Sequence, residues 1–425
     1  MMTNDEFLTM HEDEKTQLQL ERLQSTLNRA YRNVPFHKKR FKELGIDLSE
    51  IESLTDLARL PFMDRQDISE NYPYNLFAVP LRDIVRIHTS PGTTQNPTVS
   101  GYTPQDLSSW QTILARALKI SGITPHDILQ ITLNPGLANW GRDYKYGAEA
   151  LGASVIPNTP LSLEKKLMVL RDYKTSALIS TPASALQLAT HIPKKQITTS
   201  AFDLKTIILV GESIDKTERK AMEDALNVKI WCHYGLSEVP GPAIAFECEV
   251  HEGLHMNEDY FLPEIVDPAS GKALPDNQYG ELVLTTLATR AFPLIRFRTG
   301  DRAKMIKQTC SCGRGLRRIE WRGERTDDLI NIDGVKIHKK QIQRSIQAAL
   351  EFPPEFPPEF PIDTAKFHVK HRDEKKYLEV WIPVNEHIFS DEIKGLEALI
   401  QIAENNLYKN IGIPISIRLK EQRTF

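Results

Sequence analysis

Strands alternating with helices predict an α/β fold. The expected form is a large N-terminal domain of mainly parallel sheets flanked by helices, with a β-rich subdomain, followed by a small α+β domain. Three observations carry this expectation. Short runs rich in β-branched residues recur at 128–133, 154–157, 176–180, 206–210 and 228–232. Amphipathic stretches at 144–151, 163–173 and 183–190 separate them. From Pro263 onward, through Gly271 and Gly280-Glu281-Leu282-Val283, period-two alternation and turn residues replace helical spacing, as in a β meander.

The bulk properties limit what such a chain does. With 425 residues, 40% hydrophobic and 26% charged, it is long enough for about two domains or more and a large core. Its 53 basic and 56 acidic residues leave a net charge of −3, no overall bias toward nucleic acid or an anionic membrane, so a small-molecule partner is expected. No apolar run approaches the ~20 residues of a membrane span, and the polar, acidic start Met1-Met2-Thr3-Asn4-Asp5-Glu6 is unlike a signal peptide; a cytoplasmic location is expected. The 4 cysteines are too few for a disulfide scaffold.

In chain order, Leu20, Leu23, Leu27 and Tyr31 mark an amphipathic packing helix that ends before Pro35. Next comes the run Ile84-Val85-Arg86-Ile87, leading into His88-Thr89-Ser90-Pro91-Gly92-Thr93-Thr94-Gln95-Asn96-Pro97-Thr98. A strand entering a turn of one glycine among hydroxyl residues presents N–H and O–H groups suited to phosphate, although it is not the GxxxxGK[ST] pattern. Thr103 is an N-cap for a helix carrying Trp110, Ile113, Leu114, Ala117 and Leu118. Four later strand ends bear polar or glycine-rich words: Asn134 to Gly141, Ser180-Thr181-Pro182, Gly211-Glu212-Ser213, and Tyr234-Gly235-Leu236-Ser237-Glu238. Sites in open parallel sheets lie at the carboxyl ends of strands, so these words should line one crevice.

A second constellation is Cys248, His251 and His255 with Cys310-Ser311-Cys312-Gly313 some sixty residues on. Cysteines one residue apart are too close for an easy bridge. Together with a Cys-x-x-His pair they could close a tetrahedral, structural zinc site; reduced thiols without metal are the alternative. Past Asp328 the chain reads as a hairpin at 330–337, a helix at 339–350, and a Phe-Pro-Pro-Glu repeat at 351–361 that excludes helix and favours an extended spacer. Strands at 366–370, 377–384 and 415–419 with a helix at 391–407 complete a small α+β domain.

Taken together, the loop around Gly92, Tyr234 to Glu238, Gly280-Glu281-Leu282-Val283, Arg296-Phe297-Arg298-Thr299-Gly300-Asp301 and Arg325-Thr326-Asp327-Asp328 give a chain that resembles the adenylate-forming superfamily, most of all the phenylacetate–coenzyme A ligases and their relatives, over roughly residues 15 to 345. The resemblance implies a division into residues 1–324, with a β-rich part at about 245–324, and a C-terminal lid at 325–425 that turns about a hinge near Asp327. It implies ATP bound by Ser90, Gly92, Thr93 and Thr94, and adenine held by Gly211, Glu212, Ser213 and Tyr234 with Gly235, Leu236 and Ser237. It further implies Mg2+ on Glu238, ribose on Asp301 and a ribose or phosphate contact from Arg325, with Thr93, Thr94 and Glu238 as catalytic residues. Trp140, Gly141 and Pro240 would shape the acid pocket, an indole beside glycine suiting a flat aromatic acid. Relatives share the Cys248 and Gly253-Leu254-His255 words whether or not they carry the paired cysteines, which favours His251 over His255 as fourth zinc ligand.

The chain departs from the family pattern in two places. Pro91 stands where relatives have a small residue and Gln95-Asn96 where they have Gly-Lys, removing an N–H donor and a cation. The sequence given ends at Thr424-Phe425 without the family's terminal Gly-Lys-x-Arg word, and Lys420 does not match it. Three readings follow: an ATP-dependent acid ligase passing the adenylate to CoA, one passing it to an amine, and a non-catalytic binding protein on the same fold. A homodimer is left open.

Overall fold

The computed structural model describes residues 6–90, 97–133, 138–158, 161–239, 241–327, 329–332, 335–339, 342–343, 346, 365–372, 375–384, 400–402, 404–405, 408 and 415–421. The chain divides into two units, Met1–Asp327 and Asp328–Phe425.

Helices of the first unit are α1 (Glu6–Thr9), α2 (Glu12–Asn33), α3 (Pro35–Glu43), α4 (Arg65–Glu70), α5 (Pro104–Ile120), α6 (Ala138–Leu151), α7 (Leu163–Asp172), α8 (Pro182–Lys194) and α9 (Lys216–Leu226). Its strands begin with β1 (Arg86–Ser90), β2 (Thr98–Tyr102), β3 (Ile128–Thr132), β4 (Ser154–Ile156), β5 (Ala177–Ser180), β6 (Thr206–Val210) and β7 (Lys229–Tyr234). They continue with β8 (Ala245–Phe246), β9 (Leu254–Met256), β10 (Phe261–Val266), β11 (Gly280–Thr286), β12 (Phe297–Ile306) and β13 (Arg318–Arg325).

The strands β4-β3-β5-β6-β7 lie side by side and parallel. Ile207, Ile208, Leu209 and Val210 are wholly buried, which is what a sheet covered on both faces demands of its central strand. At β7 the pairing changes. β8 runs antiparallel to it, Tyr234 opposite Ala245, and β9, β13, β12, β11 and β10 follow, all antiparallel. The β-rich part, expected as a subdomain packed on the core, is therefore hydrogen-bonded into it: β8 takes up the open edge of β7 and one sheet of 11 strands results.

Local signals set the helix boundaries. α2 ends where Val34 serves both as its C-cap and as the N-cap of α3, whose first residue is Pro35. Thr103 caps α5 in a capping box, its Oγ1 accepting from Asp106 N at 3.1 Å while Asp106 accepts from Thr103 N at 2.9 Å. The same carboxylate accepts from the backbone of Arg290 (2.6 Å) and Ala291 (3.1 Å), tying a distant loop to the start of α5. β1 and β2 form a separate antiparallel hairpin, Ser90 opposite Thr98, that flanks residues 91–96. The phosphate-loop residues Gly92, Thr93 and Thr94 lie outside the described residues, as does Pro240.

The second unit holds the hairpin β14 (Leu329–Ile332) and β15 (Val335–His338), and a sheet of β16 (Lys366–Arg372), β17 (Lys375–Val384) and β18 (Ile415–Glu421). β16 is antiparallel and β18 parallel to β17, and Ile330, Ile342, Ile346, Leu378, Val380, Ile382, Ile415 and Ile417 share its core. Lys420 sits over the Trp381 ring at 4.9 Å. Most of the helices expected at 339–350 and 391–407, and the whole proline repeat, fall outside the described residues. Among those described, no helix is long and apolar enough to cross a membrane.

Candidate active site

The last residue of β7, Tyr234, is buried, and its hydroxyl donates to Asp301 Oδ2 at 2.8 Å. Asp301 lies on β12 directly opposite Arg325 on β13, so the sheet register alone delivers the next partner. Arg325 donates to Asp301 Oδ1, to Thr299 O at 2.9 Å, and in a fork to both oxygens of Asp327 at 2.7 and 2.6 Å. Burial alone would depress the Arg325 guanidinium, but Asp301 and then Asp327 outweigh it and hold its pKa above the ordinary value. Burial and then Asp301 push the Tyr234 phenol well up, so it stays a neutral donor. Gly300 has φ +71, which favours glycine, and a Cβ there would lie 2.0 Å from Asp327 Oδ2 and 2.4 Å from Arg325 Nη2, displacing the ion pair.

Sequence reasoning missed Arg65, the residue that links this group to Glu238. Its Nε donates to Glu238 Oε1 at 2.6 Å and its Nη1 to Asp327 Oδ2 at 3.2 Å, across 173 and 262 positions of sequence. It is the first residue of α4, capped by Asp64, and Met63 just before it is laid along β12 by hydrogen bonds with Arg296 and Arg298. Tyr234, Asp301, Arg325, Asp327, Arg65 and Glu238 thus form one unbroken chain of charge-assisted hydrogen bonds.

Beside it, Gly211 (φ +90) turns the chain after β6, and Ser213 stands against Gly323 of β13. Glu212 is buried. Trp321 of the same strand meets the Tyr234 ring edge to face at 4.9 Å, a second residue that no sequence word marked. On the other side, a Cβ on Gly235 would lie 2.8 Å from both Gly241 O and Pro242 Cα and 3.2 Å from Trp140 Cη2. Leu236 is buried behind this turn and Ser237 is half-buried within it. Trp140 of α6, itself buried, meets the Tyr234–Glu238 turn at Gly235, whereas Gly141 abuts Asn158. Asp143 of the same helix, near Gly241, has its pKa raised to about 7 by burial, against the pull of Arg86 at 3.1 Å.

The structure brings together Cys248, His255, Cys310 and Cys312, whose ligand atoms all lie within 4.8 Å of one another. Cys310 and Cys312 sit on a knuckle closed by Gly313 N donating to Cys310 O, with Gly313 at φ +77. His255 Nδ1 is 3.2 Å from Leu316 O, which fixes Nδ1 as the protonated nitrogen and leaves Nε2 toward Cys312 at 3.4 Å. Burial lowers its pKa to about 4, so the ring is neutral near pH 7. His251, favoured on sequence, is not in the group. Its turn backbone (φ 54) carries the ring onto Trp231 at 4.7 Å, with Nδ1 shared between Arg219 (3.0 Å) and Glu247 (3.3 Å).

No family model matches the chain. Among solved structures, a 2-hydroxyisobutyryl-CoA ligase in complex with 2-HIB-AMP and CoA aligns with a TM-score of 0.86 at 24% identity, covering 97% of this chain and 87% of that one. An amide bond synthetase from Marinactinospora thermotolerans aligns at 0.57 with 16% identity, covering 80% and 66%. These likenesses show the fold that this chain shares with those ligases. Sequence goes further: a phenylacetate–coenzyme A ligase from Pseudomonas putida is 36% identical over 380 residues, 88% of this chain and 86% of that protein. Another from Escherichia coli strain K12 is 38% identical over 349 residues, 81% and 79%. The chain belongs to the phenylacetate–coenzyme A ligase family, which consists of AMP-forming acid–thiol ligases.

Proposed function

We propose that this protein activates an organic acid, of aromatic type, with ATP and passes the acyl group to CoA. The acid's carboxylate attacks the α-phosphorus and pyrophosphate leaves; the CoA sulfur then attacks the acyl carbon, its proton goes to solvent, and AMP leaves. One observation carries the reading: the chain from Tyr234 through Asp301, Arg325, Asp327 and Arg65 to Glu238, assembled from segments far apart in sequence, the last residues of β7 and β13 and the middle of β12 among them. In this reading the Tyr234 ring and the Gly211–Ser213 turn hold adenine, Asp301 accepts from the ribose hydroxyls, and Trp140 and Gly141 bound the acid beside Glu238.

Such a site works by positioning and charge neutralisation, and an arginine clamped between two carboxylates is pre-organised for both. Glu238 offers a carboxylate of the hard-oxygen type that Mg2+ takes, and Mg2+ bound there would offset triphosphate charge. Cys248, His255, Cys310 and Cys312 fit a structural Zn2+: three sulfurs and a neutral imidazole nitrogen, with the other ring nitrogen held by a carbonyl. Residues 325–425 would act as the lid, and the cytoplasm as the location.

The test is pyrophosphate release over a panel of aromatic and aliphatic acids, with CoA, with amines, or with neither. Release that depends on an aromatic acid and is completed as thioester only when CoA is added is the expected result. Nucleotide binding with no acid-dependent release across the panel would overturn it.

A further inference from the structure

Away from this site, a cavity of about 250 Å3 opens between α2 and α5. Arg22, Ser25 and Arg29 reach it from α2 at steps of three and four, one helical stripe, and Ser109, Thr112 and Arg116 reach it from α5 at the same steps. Arg290 closes it from the loop that Asp106 ties to the start of α5. Four guanidiniums therefore surround the space, and among the described residues Asp259 is the one carboxylate lining it.

That carboxylate is already used. Arg116 donates to both Asp259 oxygens, at 2.8 and 2.7 Å, in a buried fork. Arg22 and Arg29 donate to backbone carbonyls, of Asp259 and of Thr289 respectively, which satisfy hydrogen bonds without cancelling charge. Asp106 offsets part of the Arg29 charge from one side, while its oxygens accept from Thr103 and from the backbone of Arg290 and Ala291. Burial and then the neighbouring Arg290 push the Arg29 pKa below its usual value, against the pull of Asp106.

Clustered arginines with hydroxyl donors between them match a tetrahedral oxyanion, since each fork offers paired N–H groups and each hydroxyl one more. The volume suits a phosphate group and a few waters and falls below that of pockets for whole cofactors. We infer that this cavity is a phosphate-binding site, separate from the adenylate site, occupied by free inorganic phosphate or by a phosphate end of CoA.

The first experiment titrates inorganic phosphate into the full chain saturated with AMP, by calorimetry at constant ionic strength, with chloride as control. It needs no turnover and so stands apart from the ligase reading; the CoA arm rests on that reading. Wild type should saturate at one phosphate per chain, and Arg290→Gln, an exposed position that leaves the fold intact, should weaken binding at least tenfold. Arg29→Gln should do the same if it folds. A second arm compares KM for CoA and dephospho-CoA: if the occupant is the CoA phosphate, Arg290→Gln erases their difference, and if it is free phosphate the difference is unchanged; both results keep the site. Phosphate binding that never saturates, or that is as tight in Arg290→Gln as in wild type, overturns it.

Discussion

Arg325 shows how much of this site is decided by a single buried charge. Its side chain is 6% exposed, between Asp301 (3%) and Asp327 (31%). Removing one partner of such a pair leaves charge without compensation, which costs about 3–5 kcal/mol. Asp301→Asn should therefore lose stability of that order in urea unfolding as well as nucleotide affinity; an unchanged unfolding midpoint would show that Asp327 alone suffices. Glu238→Gln removes the charge that faces the largely buried Arg65, which keeps Asp327 as its remaining partner. Acid-dependent pyrophosphate release, measured below the variant's melting temperature so that the fold survives, should drop about a hundredfold, and full turnover in that variant would take Glu238 out of the reaction. At this scale the sequence was legible wherever a residue sat inside a local word. Tyr234, Asp301 and Arg325 could be picked out that way and meet in space, while Arg65 and Trp321 could not, since their roles come from strand register and from a bridge between Met63 and Phe297. Spacing likewise could not choose between His251 and His255: the choice rests on a left-handed turn at His251 and on β9 pairing with β13.

Among the elements, the Cys310–Gly313 knuckle and its surroundings behave as a clasp. Lys15 of α2 donates to Gly315 O just beyond the knuckle, and Arg318 at the start of β13 donates to Glu252 O and Gln308 O. A metal here would therefore be felt in α2 and β13 together. Purified protein prepared without chelator should carry about one zinc per chain, and Cys310→Ser should lose it along with several degrees of melting temperature. Elemental analysis showing no stoichiometric metal, or a variant that melts like wild type, argues for plain thiols. The alternation of strands and helices over 128–234 was readable because its strands are short, mostly apolar runs, those of β3, β5, β6 and β7 largely buried on both faces. The joining of β8 to β7 was not, because a two-residue strand such as Ala245–Phe246 has no periodicity to read.

For the molecule as a whole, buried titratable groups set the response to acid. Burial lowers His37, His88 and His255 from 6.5 to about 4 and His233 to about 3. The unfolded chain takes up these protons first, so each contribution is lost as pH falls from about 6.5 toward the folded value. Burial raises Asp143 and Glu258 to about 7, with the opposite sign: the native state holds the extra proton, and stability is lost as pH rises from about 4 to 7. Four groups oppose two, so about two net protons are taken up on unfolding near pH 5.5, and stability should fall by about 2.7 kcal/mol per pH unit on acidification there. Urea unfolding at pH 5, 5.5 and 6 measures this slope; a flat or inverted dependence would contradict these environments. The continuous sheet has a further consequence, for self-association. However many strands it gathers, an open sheet presents only two unpaired borders to another copy of the chain. One is β4, three residues long and followed by Pro157. The other is β10, which contains Pro263, with no N–H to donate, and whose Val266 is already bridged to Ala273. Neither border offers a ladder that a second chain could extend into a fibril, so two copies that meet through this sheet must do so by side chains and not by strand addition.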